Sequence, residues 1–121
     1  MGPGLFLAAF AAFLKTACPT VSFDDSGEAV LAARQLGVMH PPGYPAFILL
    51  GRLALLIPAG APEFRLSLLA AALAAGAACA LFGLWRAAVP HDSARADGVG
   101  WAACLLAALT TGVWAQATTA K

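Results

Sequence analysis

Charge is scarce in this sequence: Asp, Glu, Lys and Arg together make up 11% of its 121 residues. Soluble domains carry about a quarter charged residues, so a water-soluble globule is disfavoured from the start. An excess of one sign is missing too. Seven Lys+Arg face six Asp+Glu, a formal +1 with no basic block. Without clustered cations nothing neutralises a phosphate backbone, which excludes a nucleic-acid partner. Only three cysteines occur, Cys18, Cys79 and Cys104, with no C-x-x-C pair and no metal-ligand spacing. Cys79 and Cys104 lie in apolar runs, where a thiol packs as a small apolar group. What is abundant is apolar: 61% hydrophobic residues and a mean hydropathy of +0.82. Composition points to a membrane.

A helix needs about 20 mostly apolar residues to cross ~30 Å of hydrocarbon. Leu66 to Trp85 supplies 20 residues without formal charge, between Arg65 and Arg86, and Gly98 to Ala120 supplies 23, between Asp97 and Lys121. Met1 to Leu14 supplies 14 before Lys15, and spans if Lys15 snorkels and Pro19 ends the helix. It has neither the positive n-region nor the small-residue cleavage site of a signal peptide, so an uncleaved span is expected. Tyr44 to Ile57 differs, because prolines bracket its 14 residues and Arg52 sits inside. Fourteen helical residues reach only ~21 Å, and a centrally buried Arg costs about 2.5–3.5 kcal/mol. A helix lying at the interface, with Arg52 turned to headgroups or a polar cavity, fits better.

The expected fold class is therefore all-α: a multi-pass transmembrane helical bundle in an integral membrane protein. Its spans fall at about 3–18, 66–86 and 98–119, with an external loop over 19–42 and a juxtamembrane or tilted helix over 43–57. Arg86 and Arg95 are balanced by Asp92 and Asp97, so positive-inside counting gives no orientation. The run stops at Lys121 with no polar tail, which reads as the N-terminal piece of a longer chain.

The polar stretch Cys18 to Pro42 holds the residues with chemical potential. It carries Asp24, Asp25 and Glu28 and ends in His40-Pro41-Pro42-Gly43. Ser26 to Leu36 reads as a short helix, with Ala29, Ala33 and Leu36 on one face, Arg34 and Gln35 towards water, and Gly37 as its stop. Asp25 stands three residues before Glu28, the spacing of a capping box. The same carboxylates suit a general base or a cation site. His40 is either a solvent-facing turn residue or a neutral imidazole working beside the acids. Carboxylates with one His can hold a divalent metal, although this spacing matches no specific pattern, and the residues name no other cofactor. Arg52, Arg65 and Lys121 are candidates for an anionic headgroup, Arg65 chiefly as an interfacial anchor. Ala72, Gly76 and Ala80, four apart, read as a close-packing stripe. Trp85, Trp101 and Trp114 suit span ends, with Trp114 deeper.

Two runs carry a resemblance: Pro19-Thr20-Val21-Ser22-Phe23-Asp24-Asp25-Ser26-Gly27-Glu28 and Leu36-Gly37-Val38-Met39-His40-Pro41-Pro42-Gly43-Tyr44-Pro45. Leu50-Gly51-Arg52-Leu53, Arg65-Leu66-Ser67-Leu68-Leu69 and Trp114-Ala115-Gln116-Ala117 extend it over nearly the whole chain. The sequence resembles the N-terminal region of the protein O-mannosyltransferase-like membrane family, which includes bacterial members and the animal enzyme acting on plexin-type domains. The resemblance implies the N-terminal part of a C-type glycosyltransferase fold with its active site on the non-cytoplasmic face, here of the bacterial inner membrane. It implies transfer of a mannose-like sugar from a polyprenyl-phosphate donor to an acceptor hydroxyl. Asp25 is then the catalytic residue, and Asp24, Glu28, His40, Arg52 and Lys121 line the substrate. Members carry many more spans, so this piece alone is expected to be inactive. Lys121 stands where members often have an acid.

The competing expectation is a non-enzymatic multi-pass membrane protein, or a transporter fragment, whose external acids bind an ion or a partner. Charge-free spans count against an ion pathway.

Overall fold

The computed structural model describes residues 2–19, 25–58, 60–89 and 94–118. Among the described residues the chain forms helices α1 (Gly2–Thr16), α2 (Ser26–Gln35), α3 (Pro45–Ala54), α4 (Pro62–Ala88), α5 (Ala94–Ala108) and α6 (Thr111–Thr118), with no strand. The all-α expectation stands.

The long Ala- and Leu-rich α4 is the axis. Pro62 sits in its first turn, where a missing N–H costs nothing, with Glu63 beside it and Arg86 in the last turn to complement the helix dipole. Leu5, Ala9 and Phe13, four apart on α1, pack with Ala71, Ala75, Ala78 and Phe82 of α4. Alanines on α4 let the two backbones approach closely. The Cys79 thiol donates to the Gly2 carbonyl at 3.3 Å, so the start of α1 lies towards the far end of α4. Cys104, Ala108 and Ala117 of α5 and α6 complete this core, and the Phe13 and Trp114 rings meet edge to face at 5.6 Å.

A second cluster forms near the other end of α4. Ala29, Val30, Ala32 and Ala33 of α2, then Met39, then Ile48 of α3, pack around Leu66. Gly51 permits this approach: a Cβ there would stand 3.0 Å from Leu66 Cδ2 and 3.3 Å from the Ala33 methyl. This unit carries the polar stretch, so its packing places the site.

The multi-pass transmembrane bundle is overturned. Among the described residues only α4, at 27 residues, is long and apolar enough to cross a membrane, or two spans if a bent helix pair counts as one. Helix α1 has 15 residues, about 22 Å, short of the hydrocarbon thickness. It closes when the Thr16 hydroxyl turns back to the Ala12 and Phe13 carbonyls at 3.4 and 3.3 Å, and the Cys18 N–H instead reaches the Thr118 carbonyl at 2.9 Å. The expected span over 98–119 is broken into α5 and α6, bent by 65°. At the break the Leu109 N–H is shared between the Leu105 and Leu106 carbonyls, and the Thr110 hydroxyl takes the Ala107 carbonyl at 2.9 Å. That side-chain bond competes with helix continuation. An uninterrupted apolar run is not an uninterrupted helix.

Two smaller expectations also shift. The buried stripe of α4 is Ala71, Ala75, Ala78 and Phe82, one register from Ala72, Gly76 and Ala80; Ala80 is exposed and Gly76 has no neighbour where a Cβ would stand. In α2, Ala29 and Ala33 are buried as expected, but Leu36 is exposed and itself adopts the left-handed stop conformation, φ 52°, in place of Gly37.

Candidate functional site

Asp25 is the N-cap of α2, its carbonyl accepting the first helical bond from the Ala29 N–H at 2.9 Å. Its side chain makes no capping hydrogen bond, so the expected capping box is absent. Glu28 is drawn away from the cap by a stronger partner. One carboxylate oxygen accepts the His40 main-chain N–H at 2.7 Å and the other faces His40 Nδ1 at 2.8 Å. The remaining ring nitrogen, Nε2, lies 3.6 Å from Asp25 Oδ2.

Local backbone brings His40 there. Met39, 3% exposed, anchors the strand of chain before it in the α2–α3 cluster. After it, the Gly43 N–H closes a turn on the His40 carbonyl at 2.9 Å. Gly43 has φ 86° and is buried, with Val38 Cγ1 3.2 Å from where a Cβ would stand, so a side chain fits neither the backbone nor the space. Tyr44, also at positive φ, leads into α3, and its ring meets the imidazole edge at 6.3 Å. Tyr44 was not singled out from composition or spacing; its place in His-Pro-Pro-Gly-Tyr-Pro is the signal that could have found it.

The electrostatics follow from the geometry. The hydrogen bond to Glu28 raises the His40 pKa above its ordinary 6.5, and the charges of Asp25 and Glu28 push the same way. Glu28 is lowered from its ordinary 4.5 by the His40 side-chain and main-chain bonds. Both shifts bias the pair towards an imidazolium facing a carboxylate. All three groups face solvent.

The donor atoms of Asp25, Glu28 and His40 lie within 4.8 Å of one another. That proximity resembles a cation site, but Glu28 and Nδ1 of His40 already satisfy each other, and nothing else at the cluster points to an ion. Arg52 is not brought to it. Its guanidinium donates to the Arg34 carbonyl at 3.0 Å, near the opposite end of α2 from Asp25. Arg65 donates to the Leu55 and Gly60 carbonyls at 2.9 and 2.8 Å, fastening the α3–α4 connection. Asp24 and Lys121 lie outside the described residues.

An apolar cavity of about 350 Å³ opens between α3, α4 and α6, lined by Phe47, Leu73, Ala74, Val113, Gln116 and Ala117 among others. Helix α3 also turns Leu49 and Leu53 outward, and Leu56 just after it is turned outward too, each at least 60% exposed. A solvent-facing carboxylate–imidazole cluster thus sits at the head of a unit with strongly apolar flanks.

Helices and an exposed carboxylate–imidazole cluster do not by themselves name an activity; the comparison with known families gives the class. Residues 25–121 match the family model described as the protein O-mannosyl-transferase TMEM260 N-terminal domain, and the chain belongs to this mannosyltransferase family. It is 43% identical over 79 residues to the protein O-mannosyl-transferase TMEM260 of Mus musculus, covering 64% of this chain and 11% of that protein. It is 47% identical over 47 residues to the protein O-mannosyl-transferase tmem260 of Dictyostelium discoideum, covering 39% of this chain and 6% of that one. The chain thus spans about a tenth or less of these relatives' length. No solved structure matches it.

Proposed function

We propose that this chain forms the acceptor-activating part of a mannosyltransferase that moves mannose from a polyprenyl-phosphate donor to a hydroxyl. The observation that carries the reading is Asp25: a solvent-facing carboxylate at the start of α2, with no capping bond of its own and the His40 imidazole 3.6 Å away. In transfer, the acceptor oxygen attacks the anomeric carbon as its proton passes to Asp25. The bond from that carbon to the phosphate oxygen breaks, and its electron pair stays on the phosphate. A positioned carboxylate base contributes about 10²–10⁴-fold to such a step. The leaving phosphate gathers negative charge, which an imidazolium stabilises. Helix α4, with Leu73, Leu81 and Leu84 exposed, suits contact with the bilayer that would hold a lipid-linked donor.

The test is Asp25→Asn in the full-length protein that contains this segment, assayed for mannose transfer from polyprenyl-phosphate mannose to a peptide hydroxyl. Asn preserves size, and no side-chain cap is lost by the change. A fall of about 10²–10⁴-fold with unchanged folding is expected. Near-normal transfer would reject Asp25 as the base.

A further inference from the structure

We propose that Glu28 is a positioning residue rather than a substrate ligand: it grips His40 by two hydrogen bonds so that Nε2, and not Nδ1, is the ring atom presented beside Asp25. The proposal deepens the reading of Asp25 as base and rests on it for its catalytic meaning. Its geometry stands by itself.

One carboxylate takes two donors from one residue twelve positions away, the main-chain N–H at 2.7 Å and Nδ1 at 2.8 Å. Two anchors on one residue fix both the backbone and the ring plane. The buried Met39 on one side and the Gly43-to-His40 turn on the other leave the backbone little freedom to compensate. With Nδ1 facing a carboxylate, a neutral ring keeps its proton on Nδ1, because a lone pair there would oppose a negative charge. The tautomer of a histidine is set by the bond its other nitrogen makes. Nε2 is then the working atom: an N–H donor when the ring is charged, a lone pair when it is neutral.

In the transfer step, no bond is made or broken at Glu28, and both its oxygens are already committed. The groups that face the imidazole are Asp25 and Glu28 at the start of α2 and Tyr44 ahead of α3. Arg52 is bonded at the other end of α2. Glu28 therefore acts through His40.

The sequence has two histidines, so His91→Gln leaves His40 as the sole imidazole. Nitrogen-15 correlation spectra of that chain read the tautomer and the titration midpoint directly. The parent should show the Nδ1–H tautomer above its midpoint, and a midpoint above the ordinary 6.5. Glu28→Gln should populate Nε2–H and return the midpoint towards ordinary values. Asp25→Asn should keep Nδ1–H and move the midpoint less. Glu28→Asp, too short to reach both donors, should lose the tautomer preference while keeping the charge, and guards against a Gln variant that unfolds. Retention of Nδ1–H in either Glu28 variant, or a larger effect from Asp25→Asn, overturns the proposal. Failure of Asp25→Asn to affect transfer would remove the base assignment and leave the tautomer result untouched.

Discussion

Two parts of this molecule obey different rules. The bundle of α1, α4, α5 and α6 is held mainly by apolar surface: Leu5, Ala9, Phe13, Ala71, Ala75, Ala78 and Phe82 bury each other, and polar ties are few, among them the Arg86–Asp97 ion pair at 3.4 Å between α4 and α5. The unit of α2 and α3 also has an apolar floor, from Ala29 to Leu66, but its upper edge is set by directional bonds from Glu28, His40 and Arg52. Apolar burial in the first part favours contact without favouring a direction. The second aims particular atoms. The candidate site lies on the part where direction is enforced, and the bundle supports it by presenting Leu66 as a fixed floor.

The difference can be broken most forcefully in the bundle. Phe13 is fully buried and touches both α4 and, through Trp114, α6. Phe13→Ala should destabilise the fold by about 3–5 kcal/mol, by lost contacts plus the cavity left behind. Chemical unfolding of parent and variant measures it. If the two parts are distinct, His40 in the folded variant keeps its Nδ1–H tautomer. Loss of the tautomer in the folded variant would show that bundle packing, and not Glu28, aims the ring.

This division also explains what was legible in the sequence. Helical type was readable, because Ala- and Leu-rich runs and the Pro62 and Gly43 signals are local. The cluster of Asp25, Glu28 and His40 was readable as a group, and the resemblance placed them together and marked the family. Its wiring was not. Asp25 and Glu28 at three-residue spacing resemble a capping box, and only the turn at Gly43, closing on His40, shows that Glu28 has a partner twelve residues on. Nor was the span number legible. Hydropathy counts residues, whereas the Thr16 and Thr110 hydroxyls end helices by bonding backward, a matter of geometry that no apolar count contains.

Gly76 sharpens the same point at lower cost. The stripe of Ala72, Gly76 and Ala80, spaced four apart, places this glycine in a helix contact, where added bulk would be harmful. In the structure nothing stands within 4 Å of where its Cβ would be. Gly76→Ala should therefore stabilise the protein by about 0.5–1 kcal/mol, since a helix-interior glycine is penalised relative to alanine. Thermal unfolding decides. Destabilisation would return the packing stripe to the register read from sequence.

The smallest effect belongs to the directional part, because the Glu28–His40 pair faces solvent and exposed ion pairs contribute little. It has a distinctive pH signature all the same. Glu28 is lowered from 4.5 on folding, so its contribution is complete above that value and is lost as pH falls through the lowered pKa. His40 is raised from 6.5, so its contribution is complete below that value and is lost as pH rises through the raised pKa. The two windows overlap between 4.5 and 6.5, where both partners are charged in the folded and unfolded chains alike. The unfolding midpoint of the parent should exceed that of Glu28→Gln by its widest margin there, and the margin should narrow on both sides. A bundle variant such as Phe13→Ala has no titrating partner at its site and should show a margin that does not follow this profile. A flat margin for Glu28→Gln across the same range would mean that the bond to His40 does not form in solution. The two parts of the molecule would then differ in composition only.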